Sequence, residues 1–217
     1  MTPPEMTSAG IVLLGSFNPA IFHPAWFKAN DLIRSQEADQ AKLEISHPEV
    51  SSFSIDWFKL TVFLNRFSAE TADSYHFEPL RDLVLSVFKL LEHTPASKMG
   101  MNTQMHFKMP SEEKWHGFGH LVAPKIPWRK IMNQPGLISL IMADTRKDSP
   151  GYVRVKVEPS ATVRPGIFIE VNNHYETGID TPDKNGLHLL MDILKNSWNQ
   201  MITHSQEIAD NLLDQEY

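Results

Sequence analysis

Apolar positions near the end of the chain step in an alternation of three and four. Met191, Leu194, Trp198, Met201, Ser205, Ile208 and Leu212 follow that spacing, and Ser205 is its one polar member. Such spacing keeps one ridge on a single side of a helix over several turns. It predicts a terminal helix, opened by Thr181-Pro182 and about 40 Å long at 1.5 Å per residue, that packs along one extended surface. That surface is either the chain's own sheet or a second molecule.

Elsewhere short apolar runs, alternating segments and helical spacings follow one another. Ile11 to Phe17 is an apolar run that ends at Asn18-Pro19, as a strand entering a turn does. Pro24 suits the first position of a helix that carries Trp26, Phe27 and Leu32 and fades near Ser35. Leu43 to Ser46 reads as a short strand. Phe53, Ile55 and Trp57 alternate, and so do Phe58, Leu60, Val62 and Leu64, with a change of parity at Trp57 that demands a turn or a bulge. Phe77, Leu80, Leu83, Val84, Val87, Phe88 and Leu91 mark an amphipathic helix that stops before Thr94-Pro95.

A second series begins at Met99. Gly100 to Met109 reads as a strand, and Ser111 as the N-cap of a helix with Glu112 and Glu113 against its positive end. That helix holds Trp115 and ends by Pro124, with one more turn at Trp128 to Met132. Leu137 to Ala143, Tyr152 to Glu158 and Ile167 to Val171 read as strands. In the middle one Val153, Val155 and Val157 oppose Arg154, Lys156 and Glu158, giving one dry and one wet face. The fold expected is therefore α+β: two sheet-and-helix lobes, residues 1–97 and 98–217, each ordered strand, helix, meander, helix, packed as one unit with the long terminal helix spanning them.

Composition narrows the function classes. The 217 residues are 41% hydrophobic and 21% charged, ordinary globular chemistry rather than disorder. There is no cysteine, which excludes disulfides, thiol nucleophiles and thiolate metal sites. A net charge of -6 provides no global attraction for nucleic acid or anionic lipid. No Lys or Arg precedes Lys28, so the apolar run at Ile11 lacks the basic flank of a secretory signal and is too short to span a bilayer. A soluble, cytoplasmic protein is expected.

Four groups of residues are candidates for chemistry. Gly15-Ser16-Phe17-Asn18-Pro19 resembles the opening motif of nucleotidylyltransferases, in which two histidines follow the glycine at six and nine residues. Here those places hold Ile21 and Pro24, and His23 falls between them. The resemblance thus lacks its phosphate ligands, and a strand ending in a proline turn accounts for the same residues. His116 and His120 are four apart on a helix, at metal-ligand spacing, with His174 or Glu176 available as a third group. The glutamate of a zinc-protease helix is missing between them, and Gly117 and Gly119 equally suit close packing. Lys125, Arg129 and Lys130 surround Trp128, and Arg146 and Lys147 follow, a small basic patch in an acidic chain that reads better as an exposed helix end than as a nucleic-acid site. Asn172, Asn173, His174 and Glu176, after the last strand, line either a cleft or a loop.

The run Asp56-Trp57-Phe58-Lys59-Leu60-Thr61-Val62 through Arg66-Phe67, then Leu80 to Leu91 and Gly100-Met101-Asn102, is similar to a sporadically distributed bacterial family in which a strand pair, a helix and a glycine-led strand follow in that order. The resemblance covers residues 10–213. It implies a bacterial cytoplasmic origin and a two-lobed α+β fold, and it brings no catalytic residues. No residue is assigned a catalytic role, and no metal or cofactor is called for.

The leading expectation is a non-enzymatic protein that binds another protein or itself as a homodimer. Its interaction residues would be Met191, Leu194, Trp198, Met201, Ile208 and Leu212, with Trp26, Trp115 and Trp128 as exposed aromatics. The alternative is an enzyme or small-ligand binder whose cleft between the lobes is lined by His23, His116, His120, His174 and Glu176.

Overall fold

The computed structural model describes residues 3–147, 149–178 and 186–215. Its centre is one antiparallel sheet of nine strands: β1 (Met6–Gly15), β2 (Lys42–His47), β3 (Val50–Ser54), β4 (Lys59–Phe63), β5 (Arg66–Thr71), β6 (Ala96–Lys108), β7 (Leu140–Thr145), β8 (Gly151–Pro159) and β9 (Gly166–Glu176). Across the sheet they run β2-β3-β4-β5-β1-β6-β9-β8-β7. β1 and β6 lie side by side in the middle, each beside the last strand of a meander (β5 and β9), in register from Met6 opposite His106 to Leu14 opposite Lys98.

Among the described residues there are five α-helices: α1 (Pro24–Ala29), α2 (Ser35–Asp39), α3 (Phe77–Leu90), α4 (Glu112–Val122) and α5 (Leu187–Leu213). Their boundaries have local causes. Pro24 is the first residue of α1, and the His23 ring nitrogen Nδ1 accepts a hydrogen bond from the Ala25 amide at 3.2 Å. Ser111 caps α4, its Oγ accepting from the Lys114 amide at 3.1 Å, with Glu112 and Glu113 in the first turn. The parity change at Trp57 is a tight connection between β3 and β4, closed by the Ile55 amide on the Phe58 carbonyl at 3.0 Å.

Alternation along the strands sorts the residues onto two faces. Ile11, Leu13, Leu60, Val62, Phe67, Met99, Met101, Phe107, Ile169 and Val171 all point to one side and are almost wholly buried. α3, α4 and α5 cover that side. An aromatic cluster of Phe17, Phe22, Phe27, Phe53, Phe58, Phe67 and Phe88, with ring centroids 4.9–6.4 Å apart, fills the space beneath α1 and α3. A second cluster around Met105, Phe118, Ile167 and Ile169 lies beneath α4. α5 crosses both, contributing Leu190, Leu194, Trp198 and Met201 to the first and Ala209 to the second. Full burial of side chains of this size stabilises by roughly 1.5–3 kcal/mol each.

Several expectations are refined. Arg66–Thr71, which the alternation does not single out, forms β5. The last strand continues past Val171 to Glu176, so the polar residues expected to line either a cleft or a loop lie in regular β-structure, with Asn172 and His174 on the wall of a depression. Thr181-Pro182, expected to open the terminal helix, falls outside the described residues, and the described helix begins at Leu187. No helix among the described residues is long and apolar enough to cross a membrane.

Candidate functional site

Among the described residues, no helix covers the face of the sheet opposite α3, α4 and α5. Its centre is a depression of about 330 Å³ that draws on five adjacent strands, β5, β1, β6, β9 and β8. The floor is made of small residues, Ser8, Gly10, Ser68 and Gly100. A Cβ at Gly100 would stand 2.8 Å from the Asn172 amide nitrogen, so the bare backbone is what lets that amide lie over the floor. Longer polar side chains rise around it: Arg66 and Glu70 on one flank, Asn102 and Gln104 at the centre, Tyr152, Arg154, Glu170 and His174 on the other.

These groups hold one another. Asn172 donates from Nδ2 to Asn102 Oδ1 at 2.5 Å. Glu170 accepts from Gln104 Nε2 at 3.1 Å and lies 3.5 Å from Arg154 and 3.8 Å from Lys156. The His174 ring stacks on Tyr152 with centroids 4.5 Å apart, and its Nε2 is 3.1 Å from Glu176 Oε1. Glu176 also meets Lys98 Nζ at 3.2 Å. Burial lowers the His174 pKa, an effect that Glu176 opposes. The Glu176 carboxyl is held below its ordinary range, chiefly by its bond from Lys98. The site is therefore of mixed charge, its side chains already paired, and burial favours the uncharged form of His174.

The histidines expected to line one cleft occupy separate places. His174 and Glu176 are on the open face, in direct contact. His23 is an N-cap on the opposite side. His116 and His120 line a second hollow of about 310 Å³ between α4 and the helix side of the sheet, with Trp115, Phe118, Lys125, Val157 and Ile167. Among the described residues no three His, Asp or Glu side chains gather as ligands for a metal. Lys125 is buried there, donates from Nζ to the Gly119 carbonyl at 3.1 Å near the end of α4, and has its pKa lowered by burial. Its partners in the expected basic patch are dispersed. Arg146 lies over the Tyr175 ring at 4.2 Å and reaches Asn173 Oδ1 at 3.3 Å, while Arg129 and Lys130 stay exposed.

Gly15, the glycine of the nucleotidylyltransferase-like motif, serves a different end. A Cβ there would lie 2.0 Å from the Pro95 carbonyl oxygen, so the residue permits close contact where the β1–β6 register shifts. Of the three tryptophans expected on the surface, Trp128 is exposed. Trp26 packs against Phe22 and Phe27, and Trp115 donates to the Gly166 carbonyl at 2.9 Å.

On α5, Leu194, Trp198 and Met201 are buried against the chain's own sheet, and Met191, Ile208 and Leu212 are half-buried beside them. Ser205 fits that ridge because its Oγ donates to the Met201 carbonyl at 2.7 Å and meets the Asn173 amide at 3.5 Å.

Sequence reasoning named His174, Glu176 and Asn172 but not Asn102, Gln104, Glu170 or Tyr152 as partners in one site. The local signal was present: Lys98, Asn102, Gln104, His106 and Lys108 alternate with the buried Met101, Met105 and Phe107. Only strand order puts that polar row beside Glu170, Asn172 and His174. No protein-family model matches the chain, and no curated protein matches it.

Proposed function

We propose that this protein acts by binding another protein, without catalysing a reaction, and that the bound segment lies across the uncovered face of the sheet. One observation carries the reading: among the described residues the helices cover the central strands on one side only, and the other side holds a depression ringed by polar groups that pair with one another. Side chains that already hold one another lose little conformational freedom on binding, which favours docking of a partner. The balance of charge selects the kind of partner. Lys98, Arg154 and Lys156 alternate with Glu70, Glu158, Glu170 and Glu176, so a run of phosphates would meet carboxylates throughout. A polypeptide with mixed polar side chains and backbone amides meets complementary groups instead.

The test is a photo-crosslinking amino acid placed at Gln104, with a second protein carrying it at Asn199 on the helix side. Capture of one defined protein from Gln104 alone, abolished by pairing it with Arg154→Glu and Glu170→Lys, is the expected result. Equal capture from both positions, or capture indifferent to the charge changes, defeats it.

A second reading, binding of a small polar molecule in the depression, is favoured by the convergence of Asn102, Gln104, Arg154, Asn172 and His174 on one volume. Under that reading a metabolite screen raises the melting temperature of the protein, by an amount set by the ratio of ligand to Kd. The same two charge changes abolish the rise.

A further inference from the structure

The hollow between α4 and the sheet has a chemistry of its own. Its floor is Phe118, Val157 and Ile167, each no more than 3% exposed. Trp115 forms one wall, its indole fixed by the bond to the Gly166 carbonyl. Pro135 and Leu137, from the chain between α4 and β7, line it as well, and His116 and His120 stand exposed at its rim. At about 310 Å³ it lies at the lower end of the range for small-molecule sites, which share this apolar lining with a few polar groups.

Lys125 stands apart in that lining. It is 8% exposed, a degree of burial that lysine reaches mainly when its charge is paired. Among the described residues its ammonium makes one hydrogen bond, to the Gly119 carbonyl, and no carboxylate neighbours it. Capping α4 does not account for it, since that carbonyl already receives the Ala123 amide at 3.2 Å. Glu158 is the one acidic residue among those lining the hollow. Its carboxylate pairs with Lys156 at 3.6 Å, on the face that strand alternation turns away from Val157. Lys125 and Gly119 both line the hollow, so the ammonium sits at its wall with two N–H groups left over.

We propose that this hollow binds a small monocarboxylic acid, its carboxylate on Lys125 Nζ and its apolar body against Trp115, Phe118, Val157 and Ile167. A buried ammonium without a counter-ion has lost hydration, and a carboxylate replaces it with a charge-assisted hydrogen bond. The remainder of the lining takes a short alkyl chain or a single ring. A peptide C-terminus carries the same carboxylate but brings amides that an apolar wall leaves unpaired. The sheet itself separates this site from the open face, so the inference is independent of what binds there.

Calorimetry with octanoate and 3-phenylpropionate tests it. At least one acid should bind with a sub-millimolar Kd, and its amide, of the same shape without the charge, at least tenfold more weakly. This comparison uses the native chain and does not depend on how any variant folds. Lys125→Met keeps an unbranched apolar stem. It should weaken the acid at least tenfold and leave the amide unchanged, with the ligand-free melting temperature showing that the fold is intact. Histidine ring resonances locate the site: those of His116 and His120 should shift with the acid, and those of His106 and His174 should not. Acetyl-Ala-Leu, the peptide counterpart, should bind at least tenfold more weakly than the better acid. Failure of both acids to bind below the millimolar range overturns the proposal, as does equal affinity for acid and amide. Acid binding that survives Lys125→Met in a folded variant overturns it too, and so do shifts at His174 in place of His116 and His120, or tighter binding of the peptide.

Discussion

At the scale of single residues, the chain separates glycines that a motif reading would treat alike. Gly15 stands where β1 and β6 approach too closely for any side chain, with backbone as the obstacle. Gly100 faces the ends of the Asn172 and Asn102 side chains and no backbone, and a side-chain end can swing away. Gly15→Ala should therefore destabilise by about 1–3 kcal/mol or more, the range for forcing extra atoms into a packed site, and Gly100→Ala by clearly less. Urea midpoints of the two variants check the order. The histidines of the open face set a dependence on acidity. Burial depresses the pKa of both His106 and His174 from 6.5, so the unfolded chain takes up protons at a pH where the folded chain does not. Their contribution to stability is complete above pH 6.5 and is lost as pH falls below it. Glu44 and Glu176, depressed from 4.5 by bonds from Lys59 and Lys98, extend the loss at lower pH. Urea midpoints should decline on acidification from neutral pH, and the His106→Asn, His174→Asn double variant should flatten the first part of that decline.

At the scale of elements, periodicity was a good guide wherever burial alone decides which side a residue faces. Period two marked β3, β4 and β8, an apolar run marked part of β1, and the three-four ridge marked α5 with its polar exception in place. It fell short where a long-range partner makes a polar residue acceptable inside. Asn173 is wholly buried, yet nothing local announces it, because the groups that satisfy it come from Arg146 and from Ser205 on α5. The polar run from Asn172 to His174 consequently fits a loop as well as a cleft by sequence, and the apolar pattern of the strand stops at Val171. β5 was overlooked for a related reason: its inward residues, Phe67, Ala69 and Thr71, include only one large apolar side chain. Ser205→Ala tests the account, since the Asn173 amide would lose its partner on α5. We expect a loss of about 1 kcal/mol, the low end for a buried unsatisfied donor because the bond is long at 3.5 Å. A double-mutant cycle with Asn173 should return a coupling of similar size.

At the scale of the whole molecule, the sequence conveyed which residues are dry and which are wet, but not that five strands pool their wet rows into one depression. That pooling follows from the order β5-β1-β6-β9-β8, which no spacing along the chain encodes. The same order has a kinetic meaning. β1 is made first, can pair with β5 once residue 71 exists, and then waits with its other border bare until β6 is complete at residue 108. During synthesis at about 5–20 residues per second, a half-sheet with Ile11 and Leu13 already folded inward would persist for seconds with a naked flank. The centre of the finished protein is thus, for a time, its stickiest margin, and whatever shields a nascent chain would find its most needed foothold there.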